Sequence, residues 1–558
     1  MRKDRPMVSL WPLALSLAGL VLVAGCVSER GERGEKGKAT ETVAEKVTAA
    51  VKAGKRDAFN VRAFGAVGNG TNLDHQAINR AIDACAAAGG GTVLVPAGTY
   101  LCGSIRLKSN INLLIDAGAV ILGAPQSANA YDPAEPFEGR AYQDGGHTFF
   151  HNSLIWGEGL TNVSITGTGM INGGGLSFGD GQLDRLDGFG AGNTNDFARP
   201  FVPSRTAGST NINLRVGNKA IALKLCRHVL IRDVTIYHGG HFAILVTGCQ
   251  DMTVDNVTMD TNRDGIDIDC CKNTVVSNCR INSPRDDALC PKSSFALGTN
   301  VITENLTIVN CQVSGFMEGT LLDGTMVPAP GGNGRIKMGT EANGGFRNIT
   351  IANCTFRACK GLALEEVDGG IMENITINNL TMMDAPQYGI YITLGSRNRG
   401  PKVTAPSRGR NILIANVIAE VSPTRAGPPF CVEIEGSPDN YLEGVRLENI
   451  WMVNRGDGTP AQASRTPREL GTAYPEPGAI GTLPAYGIYA RHVRGLELSN
   501  FRFSYVTADS RPAIVCSDVD GLEIDNFKAQ VAEGVAAAKF EAVKGLVIRN
   551  SPVLEQAK

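Results

Sequence analysis

The chain has 558 residues, of which 43% are hydrophobic, enough to build a large core. Its formal net charge of −2 gives no reason to expect nucleic acid or an anionic surface as a partner. Glycine is abundant, at 67 residues, and aromatic residues make up only 6%. This composition is more typical of a turn-rich β protein than of a mainly helical one.

The first 25 residues have the pattern of an export signal. A cationic start precedes an apolar run over residues 7–24. Small residues directly before Cys26 are typical of a bacterial lipobox, so we expect Cys26 to be the lipidated first residue of an exported bacterial lipoprotein. We expect it in the cell envelope, either at the outer membrane or facing the periplasm. Residues 26–57 are polar and predict a flexible tether. Residues 58–558 then form a single domain, which contacts a membrane only through this anchor.

The domain begins with a short amphipathic segment. Asp74 is placed to cap a helix in which Ile78, Ile82 and Cys85 share one apolar face. Such a helix would cover the exposed end of a repeat array. From Gly91 onward the pattern becomes strand-like, in GTVLVPAGTY and then INLLIDAGAVILGA.

The rest of the chain repeats one unit, a short strand, a polar turn and a second short strand. The shared turn position is occupied by Asp233, Asn256, Asn278, Asn310, Asn353, Asn379, Asn416, Asn449, Asn500, Asn526 and Asn550. The spacing clusters near 22 to 26 residues and is larger where loops are inserted. A period this short marks a solenoid, and β-rich units of this size predict an all-β parallel β-helix. Asn suits the turn because it tolerates positive φ.

The cysteines follow the same period. Of the 14 cysteines, Cys279, Cys311 and Cys354 each directly follow the turn Asn. Equivalent positions stack on successive coils and cannot all pair, so we expect most cysteines to be small buried apolar residues. The vicinal Cys270 and Cys271 could bind a metal or form a strained bridge, but we favour core packing, because no spaced second pair with nearby His completes a tetrahedral set.

Four long loops interrupt the repeats, at about 176–216, 316–334, 397–408 and 455–485. They are rich in glycine, proline or polar residues. Long loops on a regular scaffold commonly have a binding function, and the first is a candidate wall of a cleft.

Acidic residues recur with the repeat. Asp264 and Asp286 each lie eight residues after a turn, at Asn256 and Asn278, so we expect them at equivalent places on consecutive coils, which lie about 4.8 Å apart. Asp287 is the next residue. Like charges this close raise at least one pKa, leaving one group as an acid for the leaving group and another as a base for water. Glycoside hydrolysis requires this pair of roles.

Two alternatives stay open for these acids. They are a solvated acidic face or a calcium site. The candidate calcium ligands are Asp264, Asp267, Asp269, Asp286 and Asp287.

Two motifs give the sequence a family resemblance. Asn262-Arg263-Asp264 and Asp286-Asp287 are similar to the Asn-Thr-Asp and Asp-Asp motifs of glycoside hydrolase family 28, the polygalacturonase group, with Arg in place of Thr. The resemblance runs from about residue 59 to the chain end. It implies a right-handed parallel β-helix that hydrolyses galacturonosidic linkages by inversion, without a cofactor or bound metal. Asp286 would be the general acid, while Asp264 and Asp287 would position and deprotonate the water.

The chain departs from this family in the region that binds the substrate carboxylate. No His occupies residues 334–341, where the family has Gly-His-Gly, and Glu365 and Glu366 stand where it has Arg-Ile-Lys. Arg335 and Lys337 form a literal Arg-Ile-Lys with Ile336, but one coil early. Rhamnogalacturonan hydrolases of the same family also have acids and no His here, so they are an alternative. Arg335, Lys337, Glu365 and Glu366 are candidate substrate-binding residues.

Three further substrate-binding candidates are Asn262, His241 and Lys292. His241 could equally serve in packing, and Lys292 could instead neutralise the acids. Tyr388 is a candidate for stacking on a sugar or for the core.

Together these features predict a monomeric, exported hydrolase of pectic oligo- or polysaccharides. Loops that close both ends of a groove would make a pocket, which favours attack from chain ends. A calcium-dependent pectate lyase and a noncatalytic glycan-binding β-helix are the alternatives.

Overall fold

A computed structural model describes residues 58–135, 145–177, 217–400, 403, 405–424 and 427–555. The predicted leader, the tether, Cys26 and most of the 176–216 loop lie outside these ranges. None of the helices in the described ranges is both long enough and apolar enough to cross a membrane.

The strands stack in three columns, which we call faces 1, 2 and 3, and all the paired strands in these columns run parallel. Face 1 contains β5 (Ile105–Arg106), β8 (Ile155–Glu158), β11 (Lys219–Lys224), β14 (Phe242–Thr247), β17 (Asp264–Asp269), β20 (Leu289–Lys292), β23 (Lys337–Met338), β25 (Leu362–Glu366), β27 (Tyr388–Leu394), β29 (Phe430–Glu435) and β33 (Ala538–Lys544). Face 2 contains β1 (Phe59–Asn60), β3 (Gly91–Val95), β6 (Ile111–Ile115), β9 (Thr161–Thr166), β12 (Arg227–Arg232), β15 (Gln250–Asp255), β18 (Lys272–Ser277), β21 (Thr303–Val309) and β34 (Val547–Arg549). Face 3 contains β2 (Asn69–Leu73), β4 (Gly98–Cys102), β7 (Ala119–Gly123), β10 (Met170–Asn172), β13 (Thr235–Tyr237), β16 (Thr258–Asp260), β19 (Arg280–Asn282) and β22 (Gln312–Ser314).

Longer strands join the faces in the later coils. They are β24 (Phe346–Arg357), β26 (Ile371–Pro386), β28 (Arg408–Ser422), β30 (Leu442–Asn454), β31 (Ile488–Tyr505) and β32 (Ile514–Ala529). This stack of parallel coils confirms the predicted parallel β-helix.

Strand alternation decides which side chains fill the interior. On face 1, Ile244 pairs with Ile266 and Ile266 with Leu289, and all three side chains are buried in the central core. Burying each such side chain stabilises the folded chain by about 1.5–3 kcal/mol relative to leaving it exposed. The residues between them, such as Asp267, point to the outside of the coil, where the site is built.

Four α-helices occur in the described part of the chain: α1 (His75–Ala87), α2 (Gly145–Thr148), α3 (Pro460–Ala463) and α4 (Pro552–Glu555). Helix α1 buries Ile78, Ile82 and Cys85, as predicted. Asp74 is the N-cap residue, as predicted, but its side chain makes no capping bond. Its carboxylate instead accepts hydrogen bonds from the backbone N–H groups of Val67 and Gly68, at 2.7 and 2.9 Å, and so fixes the preceding turn.

The turn asparagines form a ladder along the helix axis. Asn379 has a φ of 57°. Its Nδ2 donates to Oδ1 of Asn353 at 2.9 Å, and its Oδ1 accepts from Nδ2 of Asn416 at 3.1 Å. Asn379 therefore adopts the left-handed backbone conformation of the turn, and its side chain links its coil to both neighbouring coils.

The thirteen cysteines in the described ranges are all buried free thiols. Cys279, Cys311 and Cys354 stack in the core, as their repeat position predicts.

The 455–485 loop covers the outer side of face 1 in its later coils. Leu470, Ile480 and Leu483 pack there in one apolar cluster with Tyr388 and Tyr391. Tyr388 is fully buried, so its place is in packing rather than on an open surface.

Candidate active site

Asp264 and Asp286 lie on neighbouring coils, but their predicted equivalence is wrong by one residue. Ile266 pairs with Leu289, which brings Asp264 level with Asp287. The backbone N–H of Gly265 donates to the carbonyl of Asp287 at 3.0 Å. One extra residue therefore lies between the turn and β20, and it places Asp286 at the edge of the coil.

The three predicted catalytic acids form one cluster. Carboxylate oxygens of Asp264, Asp286 and Asp287 all lie within 4.8 Å of one another. Asp264 and Asp287 are buried, whereas the side chain of Asp286 is 26% exposed. The outermost carboxylate is thus the one that a substrate can reach, with two buried acids behind it.

Arg263, which replaces the Thr of the family motif, holds Asp286. Its Nε and Nη2 donate to Oδ2 of Asp286 at 3.2 and 2.8 Å. Its Nη1 lies 3.0 Å from Nδ1 of His241. His241 is buried and packs on Phe242, so it contacts the guanidinium rather than lining an open cleft.

Asn262 lies at the rim and is partly exposed. Its Nδ2 donates to Oε2 of Glu318 at 3.3 Å, and Glu318 also lies 3.0 Å from Nδ1 of His238. Glu318 comes from the 316–334 loop, so that loop forms part of the wall beside the acids.

Asp287 is held by two buried cations from the next coil. Ile336 bridges to Leu289, which brings Arg335 and Lys337 beside Asp287. Nε of Arg335 donates to Oδ1 of Asp287 at 2.7 Å, and Nζ of Lys337 lies 3.1 Å from Oδ2. The cations of the Arg-Ile-Lys sequence, which lies one coil earlier here than in the family, are therefore ion-pair partners of Asp287.

The environment separates the protonation states of the acids. Burial raises the pKa of Asp264 well above its usual value, and the charges of Asp286 and Asp267 add to the rise. Burial would also raise the pKa of Asp287, but Arg335 and Lys337 outweigh it and hold that pKa below its usual value. The cluster thus contains a neutral acid and a carboxylate at the same pH, the division that acid–base catalysis needs.

Lys292 lies in a second charged group behind the acids. Its Nζ lies 3.3 Å from Oδ2 of Asp267, 3.2 Å from Oε2 of Glu341 and 3.1 Å from Nε2 of His147. Burial raises the pKa of Asp267 to about 8, although Lys292 opposes the rise. Lys292 is itself buried, so it neutralises Asp267 and Glu341 rather than reaching a substrate.

Glu365 and Glu366 are both fully buried. Burial raises the pKa of Glu365 to about 8, and its Oε2 lies 3.8 Å from Nζ of Lys337. Glu366 accepts a hydrogen bond from the backbone N–H of Gly370 at 3.0 Å. Neither is placed at the surface of the site. The structure brings Glu365 near the acids through Lys337 and leaves Glu366 at the end of β25, where it binds the backbone of the turn that follows.

Sequence reasoning missed two residues of the 455–485 loop. Glu476 accepts hydrogen bonds from Arg335 at 2.7 and 3.2 Å. Tyr474 is 48% exposed, and its ring lies 5.7 Å from Nζ of Lys337. The loop therefore brings an exposed aromatic ring to the rim of the acid cluster, a contact that no repeat spacing signals.

The acid cluster also has the ligand type for a hard cation, because three carboxylates offer oxygens within 4.8 Å. Arg263 and the Arg335–Lys337 pair already supply positive charge to Asp286 and Asp287. A divalent cation would be repelled by three neighbouring cations. The charge around the acids thus favours acid–base chemistry over metal binding.

Comparisons with known proteins match this architecture. A family model described as rhamnogalacturonase A/epimerase, pectate lyase-like, matches residues 58–288, and a right-handed β-helix region model matches residues 219–404. The chain is 26% identical over 427 residues to an exopolygalacturonase of Platanus acerifolia, covering 73% of this chain and 93% of that protein. It is 24% identical over 423 residues to an exo-poly-α-D-galacturonosidase of Dickeya chrysanthemi, covering 70% of this chain and 67% of that one.

Among solved structures, the family 28 exopolygalacturonase of Yersinia enterocolitica matches with a TM-score of 0.59 and 19% identity, over 88% of this chain and 78% of that chain. At this identity the likeness is one of fold. It confirms the right-handed parallel β-helix that the sequence resemblance implied.

Proposed function

We propose that this chain, which belongs to the pectate-lyase-like right-handed β-helix proteins with polygalacturonases among its relatives, hydrolyses galacturonosidic linkages of pectic saccharides from chain ends. One observation is central: three carboxylates lie within 4.8 Å of one another, one of them kept neutral by burial and another kept charged by two buried cations. This arrangement supplies an acid and a base at one point on the surface.

Asp286 delivers the proton to the leaving oxygen. It is the most exposed of the three acids and lies within 4.8 Å of the protonated Asp264, from which it can take a proton. Arg263 fixes the orientation of Asp286 through two donated hydrogen bonds. The proton is thus stored in a buried acid and used at the exposed one.

Water is the nucleophile in this proposal. Carboxylates this close resemble the separation of about 5–5.5 Å in retaining glycosidases more than the 6.5–9.5 Å of inverting ones. Yet both oxygens of Asp287 contact cations, and Asp264 is neutral, so neither is a strong nucleophile. Asp287 instead accepts the proton of a water held beside Asp264, and the product inverts.

Attack from chain ends is supported by the walls of the site. Glu318 from the 316–334 loop stands on one side, and Tyr474 and Glu476 from the 455–485 loop stand on another. Helix α2 adds His147 behind the acids. A site enclosed from several directions accepts the end of a chain more readily than its middle.

A second candidate, hydrolysis of rhamnogalacturonan, is favoured by two observations. Glu365 and Glu366 replace the family's cations, and the family model over residues 58–288 carries a rhamnogalacturonase description. The active centre would be the same, and only the sugar beside it would differ.

One experiment tests the proposal and separates these candidates. The full chain is incubated with homogalacturonan and rhamnogalacturonan oligosaccharides, products are identified by mass, and their first-formed anomer is read by proton NMR. We expect single sugars or short units released from one end, with inverted configuration. Asp286→Asn should lower the rate by at least about 100-fold. Asp323→Asn, which removes an exposed acid of the neighbouring loop, is the matched control.

Other outcomes would replace the proposal. Unsaturated, ultraviolet-absorbing products that disappear with a chelator would identify a calcium-dependent lyase. Binding across the panel without any product would identify a noncatalytic glycan-binding protein. Full activity of Asp286→Asn would reject that residue as the acid.

We also propose that the protein is an exported, monomeric lipoprotein anchored through Cys26. The support for export and for the lipid anchor is the sequence pattern of residues 1–26. Metabolic labelling with a radioactive fatty acid should mark the wild type and not Cys26→Ser, and sedimentation of the lipid-free domain should give one chain. Equal labelling of both proteins would contradict the anchor.

A further inference from the structure

A groove of about 430 Å³ lies on face 3, away from the face 1 strands that hold the acids. Along it, Ile418 pairs with Trp451, Trp451 with Arg502, and Arg502 with Lys528. These four side chains form one outward column over four consecutive coils. At a coil spacing of about 4.8 Å the column is about 14 Å long.

The first half of the column is apolar and open to solvent. Ile418 is 55% exposed and Trp451 is 48% exposed. Single apolar residues on a surface are ordinary, whereas here an indole and a branched aliphatic lie side by side in one groove. The flat face of an indole packs well against the C–H face of a sugar ring.

The second half of the column is cationic. The guanidinium carbon of Arg502 lies 5.3 Å from the centroid of the Trp451 ring. Within the described ranges, no carboxylate lies in ion-pair distance of Arg502 or Lys528, whereas Arg446 on the same part of the helix is paired with Glu448 and Glu497. In a chain of net charge −2, two adjacent uncompensated cations select an anionic ligand.

Polar groups for hydroxyls line the same groove. Asn449 and Asn500 belong to the asparagine ladder, and Nδ2 of Asn500 donates to Oδ1 of Asn449 at 2.7 Å. An amide nitrogen has two N–H donors, and its oxygen has two lone pairs. The ladder therefore uses only part of the bonding capacity of each amide, and both residues line the groove.

We propose that this groove is a second binding site, for an acidic polysaccharide of the polyuronate class that lies along the helix axis. Trp451 and Ile418 contact the sugar rings, Arg502 and Lys528 bind the carboxylates, and the asparagine amides bind hydroxyls. The identification of the polymer as pectic rests on the proposed function, but the aromatic and cationic character of the groove does not. The site would hold the chain on its polymer while an end enters the face 1 site.

Affinity electrophoresis tests this site separately from catalysis. The Asp286→Asn full chain runs through gels that contain polygalacturonate, and the dissociation constant is obtained from its retardation. Trp451→Ala and Arg502→Gln, each added to that background, should weaken binding about tenfold. Arg446→Gln, which removes a paired cation outside the groove, should leave retardation unchanged. The substituted side chains are partly or fully exposed, so we expect every variant to fold, and the thermal midpoint of each variant checks this.

Three results would overturn the proposal. They are equal retardation of all variants, retardation as strong in neutral dextran as in polygalacturonate, and a concentration-dependent dimer that Trp451→Ala dissolves, which would show that a second copy covers the groove. Failure of the proposed function looks different, because Trp451-dependent retardation would then persist in a chain that cleaves no pectic substrate.

Discussion

Replacing Arg263 with threonine tests how the acid cluster holds its proton. Nη2 of Arg263 lies 2.8 Å from Oδ2 of Asp286 and 3.9 Å from Oδ2 of Asp264. Burial raises the pKa of Asp264, Asp286 adds to the rise, and the Arg263 charge opposes it. Without the guanidinium, Asp264 keeps its proton to a higher pH.

The size of the effect follows from the distance. Two unit charges about 4 Å apart interact by about 4 kcal/mol at an effective dielectric constant near 20. Water reaches Asp286, which is 26% exposed, so this figure is an upper bound. An opposite charge at this range shifts a carboxyl pKa by about 1–3 units. We therefore expect the pKa of Asp264 to rise by about one unit, the lower end of this range.

The assay is the pH dependence of kcat/KM on the best pectic oligosaccharide, because its limbs report the acid and base of the free enzyme. The basic limb marks loss of the proton that the cluster holds at Asp264, whose pKa burial raises. In Arg263→Thr this limb should move up by about one pH unit. Arg285→Thr is the control, since it removes an exposed arginine one position before Asp286. A basic limb that stays in place, or moves to lower pH, would refute the proton-sharing mechanism.

Three further predictions concern stability. Arg335→Gln breaks a buried ion pair with Asp287 and should lower the free energy of unfolding in urea by about 3–5 kcal/mol, whereas Arg399→Gln, at a more exposed pair, should cost about 0–1 kcal/mol; equal losses would contradict this. Asn379→Ala should lower the free energy of unfolding by about 2 kcal/mol, because ladder bonds are lost and alanine is strained at a φ of 57°. Asn379→Gly should recover part of this loss in the same urea assay, and equal losses in the two variants would exclude strain. The folded pKa values of Asp287 and Glu341 lie below their usual values. The stability that these groups contribute is therefore present above about pH 4.5, and it should be lost as the pH falls, which lowers the thermal midpoint. A midpoint that is constant from about pH 6 to 3 would contradict this.

The periodic part of the molecule could be predicted from the sequence. The asparagine spacing gave the coil period, and with it the parallel β-helix and the closeness of Asp264 to Asp286. The helix at the start of the domain was also evident from Ile78, Ile82 and Cys85. The turn asparagines and the strands repeat along the chain, so each copy supports the others.

The one-residue offset at the acids could not be predicted. Turn positions Asn256 and Asn278 differ by 22 residues, but Ile266 pairs with Leu289, 23 residues on. The extra residue lies in the short segment that leads into β20, where the strand pattern is too brief to fix a register. It exposes Asp286 rather than aligning it with Asp264.

Contacts between distant segments were also invisible. His147 reaches Lys292 from a four-residue helix, and Glu476 reaches Arg335 from a loop 141 residues away. Such contacts are single events without a repeat, and neither residue lies in a recognisable motif. Arg335 and Lys337 were visible as residues, but their pairing with Asp287 depends on how the 316–334 loop returns to the coil.

That pairing bears on the substrate. Arg335 is 1% exposed and its donors are taken by Asp287, Glu476 and Tyr388, while Lys337 is shared between Asp287 and Glu365. A uronate carboxylate at this point would have to displace Glu476, whereas a sugar without a carboxylate would not. The same cations that keep Asp287 charged are therefore poor substrate ligands, and this favours a neutral sugar, as in rhamnogalacturonan, in the subsite next to Arg335. A galacturonate there would need its charge bound by other groups, and a comparison of homogalacturonan with rhamnogalacturonan as substrate distinguishes the two arrangements.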